Sequence, residues 1–227
     1  MSDNLTIALD GPSGAGKSTL SKLVATHLGY TNIDTGAMYR SVALAAHRQG
    51  VDLADEAALA TLAGRLDIAF VQSPHGETVL LDGEDVSEAI RTPENSLRTA
   101  QVAACAGVRA AMVDLQRKLG SQGGVVLEGR DIGTVVFPRA DLKIFLVATA
   151  EERGRRRWQE LRAKGLDVDL LQTVADVEAR DLADQQRQHA PLVQADDAVV
   201  LDTTGLEIDE VLQRILAQVE TVRSRQP

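Results

Sequence analysis

A glycine-rich segment near the N-terminus constrains the fold of this chain more than any other feature. Residues 11–18 read GPSGAGKS, which matches the pattern GxxxxGK[ST]. Glycines let such a loop wrap with its main-chain N–H groups pointing inward at an anion, and a following helix adds the positive end of its dipole. An apolar run at 5–9 precedes the loop, and an amphipathic stretch at 18–28 follows it. The sequence therefore predicts a strand, a phosphate-binding loop and a helix, in that order.

This segment, called the phosphate loop below, predicts a nucleoside triphosphate as ligand. Lys17 would reach the β- and γ-phosphates, and the Ser18 hydroxyl would ligate Mg²⁺, which is otherwise held largely by water and the phosphates of ATP. The residues predicted to bind ATP are Gly11, Pro12, Ser13, Gly14, Ala15, Gly16, Lys17, Ser18 and Thr19.

Strand and helix signals alternate along most of the chain, which favours a parallel sheet with crossover helices. Apolar runs predict further strands at 30–33, 125–127, 143–147 and 198–201. Helical spacing predicts helices at 37–49, 96–119, 170–189 and 208–222.

The middle of the chain has a different character. Short apolar runs at 68–71, 78–81 and 85–86 are separated by turn signals at 73–76 and 82–83. They predict a small antiparallel sheet inserted into an α/β chain. Because repeats and long linkers are absent from the sequence, lobes inserted into one core are expected rather than separate domains.

The charge balance limits the partners of this chain. It has 24 Lys and Arg against 33 Asp and Glu, a formal net charge of −9. Nucleic-acid polymers and anionic membranes recruit basic surfaces, so neither is expected as a partner. A small anionic substrate held by a local group of arginines remains compatible with this balance.

Cysteine and histidine usage points away from redox, zinc and nucleophilic chemistry. Cys105 is the single cysteine, so we expect no intrachain disulfide and interpret it as a packed core residue. The four histidines are at unrelated positions and are interpreted as surface or packing residues. The N-terminus lacks a signal-peptide layout and no apolar run reaches membrane-spanning length, so a cytoplasmic location is expected. The histidines are His27, His47, His75 and His189.

Several classes of nucleotide-binding protein can be compared with the sequence. A signalling GTPase would carry an Asn-Lys-x-Asp run, and none is present. An ATPase would carry an apolar strand ending in an acidic residue; Asp10 belongs to the loop, and 199–202 (VVLD) matches loosely, so this class stays open. A small kinase would instead need a second group of cations for the acceptor.

Arginines occur where strands and helices are predicted to end. Residues 125–138 read VVLEGRDIGTVVFP, in which the apolar runs 125–127 and 135–137 flank Glu128, Arg130 and Asp131. In open α/β sheets, ligands gather at the carboxyl ends of strands, so Arg130 and Asp131 are expected near the phosphate loop. Arg40 and Arg109 fall elsewhere, and Arg180, Asp184 and Arg187 have the spacing of one helix face.

Five segments in this order resemble the bacterial cytidylate kinases, over nearly the whole chain. They are GPSGAGKS at 11–18, DTGAMYR at 34–40, EGRDIGTVVFP at 128–138, KIFLVATAEERGRRR at 143–157 and RDLADQQRQHAPL at 180–192. The resemblance implies an α/β P-loop kinase core, an inserted acceptor-binding lobe with a small antiparallel sheet, and a helical lid. It implies transfer of the ATP γ-phosphoryl group to CMP or dCMP, an activity of pyrimidine metabolism. The implied division is a core at 1–36, 104–150 and 190–227, a lobe at 37–103 and a lid at 151–189. Nothing in the sequence calls for more than a monomer.

The resemblance also implies a role for each matching residue. Thr35, Arg109 and Asp131 would read the cytosine, while Arg40 and Arg130 would hold the acceptor phosphate. Arg180 and Asp184 would contact the pentose. Arg187, with Arg153 and Arg157 of the lid, would approach the transferring phosphoryl group. The implied catalytic residues are Lys17, Arg130, Arg187, Arg157 and Arg153.

The sequence departs from the family pattern at three positions. Ala100 stands where members commonly carry a serine that pairs with Asp184, and Ala183 and Gln185 stand where relatives can carry arginines. The pentose contact and any preference for deoxyribose are therefore left open. Other readings also stay open: a kinase for UMP or a non-nucleotide alcohol, a regulatory nucleotide-binding module, and an ATPase.

Overall fold

A computed structural model describes residues 4–73, 76–187 and 190–225 of the chain. Residues 74 and 75 of the turn predicted at 73–76, and with them His75, lie outside the described residues, as does His189. The chain forms two compact units, one of Met1–Asn32 with Gly123–Pro227 and one of Ile33–Gln122. The finer division into core, lobe and lid stays a prediction.

The first unit contains most of a five-stranded sheet in the order β2-β6-β1-β7-β8. The pairs β1–β6, β1–β7 and β7–β8 are parallel, as predicted. Its strands are β1 (Thr6–Asp10), β2 (Thr31–Asp34, which continues into the second unit), β6 (Val125–Gly129), β7 (Leu142–Val147) and β8 (Val199–Asp202). Its helices are α1 (Lys17–Leu28), α6 (Ala150–Ala163), α7 (Leu170–Gln185) and α8 (Ile208–Arg223), with a π-helical turn at Ile132–Val136.

The central strand β1 explains why the N-terminal apolar run lacks polar alternation. Ile7, Ala8 and Leu9 are all fully buried, so both faces of this strand are covered. Leu20 of α1 and Ile215 of α8 belong to the same core. The buried sheet fixes where β1 ends, and therefore where the phosphate loop begins.

The second unit is built from helices and the small sheet that the sequence predicts. Strands β3 (Ile68–Ser73), β4 (Gly76–Leu81) and β5 (Glu84–Asp85) pair antiparallel in sequence order. Its helices are α2 (Thr35–Arg48), α3 (Glu56–Arg65), α4 (Pro93–Ala104) and α5 (Ala106–Leu119), with a 3₁₀ turn at Ala89–Arg91. The prediction of an inserted antiparallel sheet is confirmed.

The prediction of a single helix at 96–119 is wrong. The chain forms two helices there, α4 and α5, which are separated at Cys105. The backbone of Cys105 is extended (φ −68°, ψ 120°), and its carbonyl accepts the Arg109 N–H to begin α5. Gly107 then packs against α3, where a Cβ atom would lie 2.5 Å from the Cβ of Ala60. The break directs α5 onto α3. Cys105 itself is buried, which confirms its interpretation as a core residue.

Two further features differ from the predictions. Helix α3 was not predicted, although Asp55 caps it by accepting the Ala58 N–H at 2.9 Å. Helix α7 ends at Gln185, since the chain turns back and Leu192 donates its N–H to the Asp184 carbonyl at 2.9 Å. Arg187 therefore lies beyond the helix, and the expectation that it shares a helix face with Arg180 is wrong.

Across the described ranges, each helix falls short of the length and apolar character that a bilayer span requires.

Gly154 allows the close packing of α6 on α7 and provides a test of that packing. A Cβ atom at this position would lie 2.4 Å from Cγ2 and 2.8 Å from Cα of Val174. We expect Gly154→Ala to lower the free energy of unfolding by about 1–3 kcal/mol, measured by urea denaturation. The control is Gly64→Ala in α3, where a Cβ meets nothing within 4 Å and a gain of about 0.5–1 kcal/mol is expected. Equal effects of both substitutions would contradict the packing.

Candidate active site

The phosphate loop leaves β1 and enters α1 as the sequence predicts. Gly11 has a φ of 146°, and a Cβ atom there would lie 2.2 Å from the carbonyl oxygen of Leu146 in β7. Glycine is therefore required for the loop to cross the neighbouring strand. The N-terminus of α1 has no side-chain cap and no acidic residue in its first turn among the described residues. Its N–H groups and dipole can therefore serve an anion.

Lys17 lies buried beneath this loop. Its Nζ donates to the carbonyl oxygens of Gly11 and Pro12, both at 2.7 Å. Burial lowers the pKa of Lys17 well below its usual range, and repulsion from Arg130 lowers it further, while Glu128 acts in the opposite direction. The ammonium group is thus held by the loop in a site where a further negative charge would be stabilising.

Glu128 is a site residue that the sequence analysis did not assign. It is buried at the carboxyl end of β6, and its Oε2 accepts a 2.7 Å hydrogen bond from the Ser18 hydroxyl. The apolar run 125–127 directly before it is the signal that could have identified it. The alternative acidic strand end, Asp202, is exposed and accepts the N–H of Thr204 in a local turn.

Arginines from separate parts of the chain converge on Asp184. Arg130 donates its Nε to Oδ2 of Asp184 at 2.8 Å, and Arg187 pairs with Oδ1 of the same carboxylate. Burial alone would raise the pKa of Asp184, but the charges of Arg130, Arg187 and Arg180 outweigh it and lower the pKa. The charges of Arg130 and Arg180 also lower the pKa of Lys17. One charged cluster is therefore formed by Lys17, Arg130, Arg180, Asp184 and Arg187.

Asp10 lies at the carboxyl end of β1 and is 5 % exposed. Its carboxylate accepts the N–H groups of Ile132 at 2.9 Å and Gly133 at 2.7 Å. Burial raises its pKa from the usual 3.8 to about 6, despite these two hydrogen bonds. Asp10 thereby joins the start of the phosphate loop to the segment that follows Arg130 and Asp131.

Arg153, predicted to approach the phosphoryl group, is buried against the phosphate loop. It donates to the carbonyl oxygens of Ser13 at 3.0 Å and Ala148 at 2.9 Å, and it pairs with Asp181. Asp181 in turn accepts the Ser13 N–H at 3.4 Å. In this arrangement, the Arg153 guanidinium holds the main chain of the loop.

Arg157, the other predicted lid arginine, is about half exposed and pairs with Glu160 one turn along α6. Its neighbour Arg156 donates to the hydroxyl and the carbonyl oxygen of Thr203. Of these two adjacent arginines, Arg156 is the one held by the fold and Arg157 is the more exposed. The predicted roles of Arg153 and Arg157 in transfer stay predictions.

Three of the residues predicted to bind the acceptor lie in the second unit. Arg40 pairs with Asp34 at 2.7 Å, while its Nε atom is buried and has no hydrogen-bond partner among the described residues. Arg109 is buried, with its guanidinium 5.6 Å from the ring centre of Tyr39. Thr35 is buried at the first position of α2.

The family departure at Ala100 also falls in this unit. Ala100 is exposed on α4. The hydroxyl of neighbouring Thr99 donates to the Asn95 carbonyl oxygen at 2.6 Å within the helix. The Thr99 hydroxyl therefore already donates its hydrogen bond within the helix, and it does not replace the hydroxyl missing at Ala100 as a donor.

Comparisons with known proteins identify the family of this chain. The family model described as Cytidylate kinase matches residues 7–221. The chain belongs to the cytidylate kinase family. It is 63% identical over 219 residues to the cytidylate kinase of Syntrophotalea carbinolica, covering 96% of this chain and 93% of that protein. It is 50% identical over 231 residues to that of Desulfitobacterium hafniense, covering 99% of each.

Membership of the cytidylate kinase family confirms the resemblance predicted from the motifs. The chain is accordingly a phosphate-transferring enzyme, and a kinase of this family implies ATP as co-substrate. Among solved structures, an uncharacterized protein from Eubacterium ventriosum superposes with a TM-score of 0.54 at 10% identity, covering 95% of this chain and 98% of that chain. That likeness concerns the fold alone, and it agrees with the α/β architecture.

The raised pKa of Asp10 predicts a pH-dependent stability. A carboxyl group whose pKa is higher in the folded state stabilises the fold when protonated, and this contribution is lost as the pH rises through about 6. The difference from 3.8 corresponds to about 3 kcal/mol. Relative to Asp10→Asn, the wild type should therefore lose up to about 3 kcal/mol of unfolding free energy between about pH 4 and pH 7.

Urea denaturation of both proteins across this pH range measures the effect. The difference between wild type and variant, rather than either curve alone, isolates Asp10 from the other carboxylates. A difference that stays constant with pH would contradict the raised pKa.

Proposed function

We propose that this chain transfers the γ-phosphoryl group of ATP to CMP or dCMP, giving ADP and CDP or dCDP. The observation that carries the proposal is the charged cluster in which Asp184 pairs with Arg130 at 2.8 Å and with Arg187, while the charges of Arg130 and Arg180 also act on Lys17 of the phosphate loop. Two anionic substrates brought together need cations on both sides. The family match supports cytidylate as the acceptor.

On the donor side, the main-chain N–H groups of the phosphate loop and the N-terminus of α1 bind the phosphates of ATP. Lys17 is held by the Gly11 and Pro12 carbonyls and supplies positive charge to the β- and γ-phosphates. Phosphoryl transfer needs alignment and charge neutralisation more than covalent chemistry by the protein. The residue types of this loop match that requirement.

Ser18 and Glu128 fit a magnesium site. Mg²⁺ prefers hard oxygen ligands and keeps several waters, and these two side chains place a hydroxyl and a carboxylate oxygen 2.7 Å apart beside the phosphate loop. When bound with ATP, Mg²⁺ neutralises charge on the phosphates. In this proposal Glu128 orients the Ser18 hydroxyl and adds a negative charge for the ion.

On the acceptor side, Arg130 and Arg40 hold the phosphate of CMP. The buried Nε of Arg40, which has no hydrogen-bond partner among the described residues, supports a role as donor to a ligand. Thr35, Arg109 and Asp131 read the cytosine, and all three are buried, as recognition by hydrogen bonds in a dry site requires.

Arg180 and Asp184 contact the pentose, and Arg187 approaches the transferring group together with Arg153 and Arg157. The pairing of Arg187 with Asp184 supports this by keeping its guanidinium beside Arg130. The monomeric state, the cytoplasmic location and the lack of nucleic-acid partners stay predictions.

Release of ADP with and without an acceptor tests the proposal. Purified protein with ATP and Mg²⁺ should release ADP only when an acceptor is added, and the rate should be lower with UMP than with CMP or dCMP. A regulatory module would release no ADP with any acceptor, and an ATPase would release it without one. Equal rates with UMP and CMP would contradict the assignment of the cytosine-reading residues.

Arg130→Ala should raise the KM for CMP or lower kcat by about 10²-fold or more, because a guanidinium on the acceptor phosphate acts in the transition state. Steady-state kinetics with varied CMP measure this. The matched control is Arg155→Ala, since Arg155 is half exposed and pairs with Glu152 one turn earlier in α6. Unchanged kinetics for Arg130→Ala, with the fold intact by circular dichroism, would make this arginine structural.

Glu128→Gln should raise the Mg²⁺ concentration needed for half-maximal rate by about tenfold, because it removes a charge from the proposed metal site. A titration with Mg²⁺ at fixed ATP measures the shift. Glu151→Gln, at an exposed position in the first turn of α6, should leave the titration unchanged. Identical Mg²⁺ titrations for Glu128→Gln and wild type would remove Glu128 from the metal site.

A further inference from the structure

We propose that Asp10 is a positioning residue for the acceptor side of the site. Its two carboxylate oxygens hold the N–H groups of Ile132 and Gly133, and this fixes Arg130 and Asp131 relative to the phosphate loop. The segment 130–136 is called the acceptor loop below. The inference rests on the proposed function, because it assumes that Arg130 binds the acceptor phosphate.

The acceptor loop needs an acceptor for its first N–H groups. The N–H groups of Val135, Val136 and Phe137 find main-chain carbonyl oxygens within the turn, those of Asp131 and Ile132. The N–H groups at the start of such a turn have no carbonyl to reach, as at any helix N-terminus. Asp10 supplies the two missing acceptors, at 2.9 and 2.7 Å, from 122 and 123 residues away in sequence.

The register of the sheet explains why Asp10 can reach this loop. Strands β1 and β6 are parallel neighbours, and Asp10 lies opposite Gly129, the residue before Arg130. The next residue after Asp10 is Gly11, where the phosphate loop begins. One carboxylate therefore links the starting points of the donor and acceptor loops.

The packing around this carboxylate leaves little freedom. A Cβ atom at Gly133 would lie 3.3 Å from Oδ2 of Asp10 and 3.1 Å from Cδ of Lys143. Lys143 extends past the loop, and its Nζ donates to the Pro138 carbonyl oxygen at 2.6 Å and to Asp197. The acceptor loop is thus held at its start by Asp10 and just beyond its end by Lys143.

This arrangement makes Asp10 important for alignment, although its carboxylate is engaged with main-chain N–H groups. Arg130 is two residues before the first anchored N–H, and its guanidinium must meet both Asp184 and the acceptor phosphate. A displacement of about 1 Å in a group that aligns substrates can lower the rate by about 10²-fold. Loosening the acceptor loop should therefore affect the acceptor and leave the donor largely unaffected.

Asp10→Asn tests the inference, because asparagine offers one oxygen acceptor and turns an NH₂ group towards the second N–H. We expect the KM for CMP to rise, or kcat to fall, by about tenfold or more, while the Kd of a fluorescent ATP analogue changes by no more than about threefold. Gly133→Ala inserts a methyl group between Asp10 and Lys143. It should likewise impair the KM or kcat for CMP while leaving the Kd of the ATP analogue nearly unchanged. It decides the question if Asp10→Asn does not fold.

Val219→Ala is the control for a general loss of stability, since Val219 of α8 is fully buried in the core and remote from both loops in sequence. Its KM for CMP should match that of the wild type. If the kinetic effect of Asp10→Asn is no larger than that of Val219→Ala, Asp10 is merely structural and the inference is overturned.

The same experiment separates this inference from the proposed function. If Arg130→Ala loses activity towards CMP while Asp10→Asn and Gly133→Ala keep the wild-type KM and kcat, the inference alone is overturned. If Arg130→Ala is also silent, the proposed role of Arg130 fails, and with it the premise for Asp10.

Discussion

Buried charge at the carboxyl ends of β1 and β6 is the constraint on which the rest of the site depends. Lys17 is buried within reach of the repulsion from Arg130 and Arg180, an arrangement that costs free energy unless carboxylates balance it. Glu128 of β6 supplies most of that balance for Lys17, with a smaller contribution from Asp10 of β1, and Asp184 of α7 balances the arginines. In the proposed function, the phosphates of the two substrates add further negative charge to this group of cations.

This balance explains the charged interruption at 128–131. The sequence analysis assigned Arg130 and Asp131 to the acceptor through the family resemblance. The structure gives Glu128 a protein partner in Ser18 and gives Arg130 one in Asp184. The apolar run that follows does not continue as a strand, because it turns through the π-helical segment Ile132–Val136. The charged residues therefore mark the end of strand β6 and the start of the candidate site.

Local signals predicted most of the fold, including the loop between β1 and α1. The phosphate loop is contiguous, so its glycines, Lys17 and Ser18 could be read directly. Contacts that depend on strand order could not be predicted from one sequence, because nothing local places Glu128 beside Ser18 or Asp10 beneath residues 132–133. The break at Cys105 and the end of α7 before Arg187 are likewise decided by packing against other elements. Periodicity could not indicate either.

A crystal structure of the chain with CMP and a non-hydrolysable ATP analogue tests the central claim most directly. The measured quantity is the distance from the Arg130 guanidinium to the phosphate oxygens of CMP. The account predicts a hydrogen bond of about 2.7–2.9 Å, with the analogue's phosphates in the loop at 11–18. CMP bound with its phosphate remote from Arg130, while Arg130 keeps Asp184 as its partner, would contradict it.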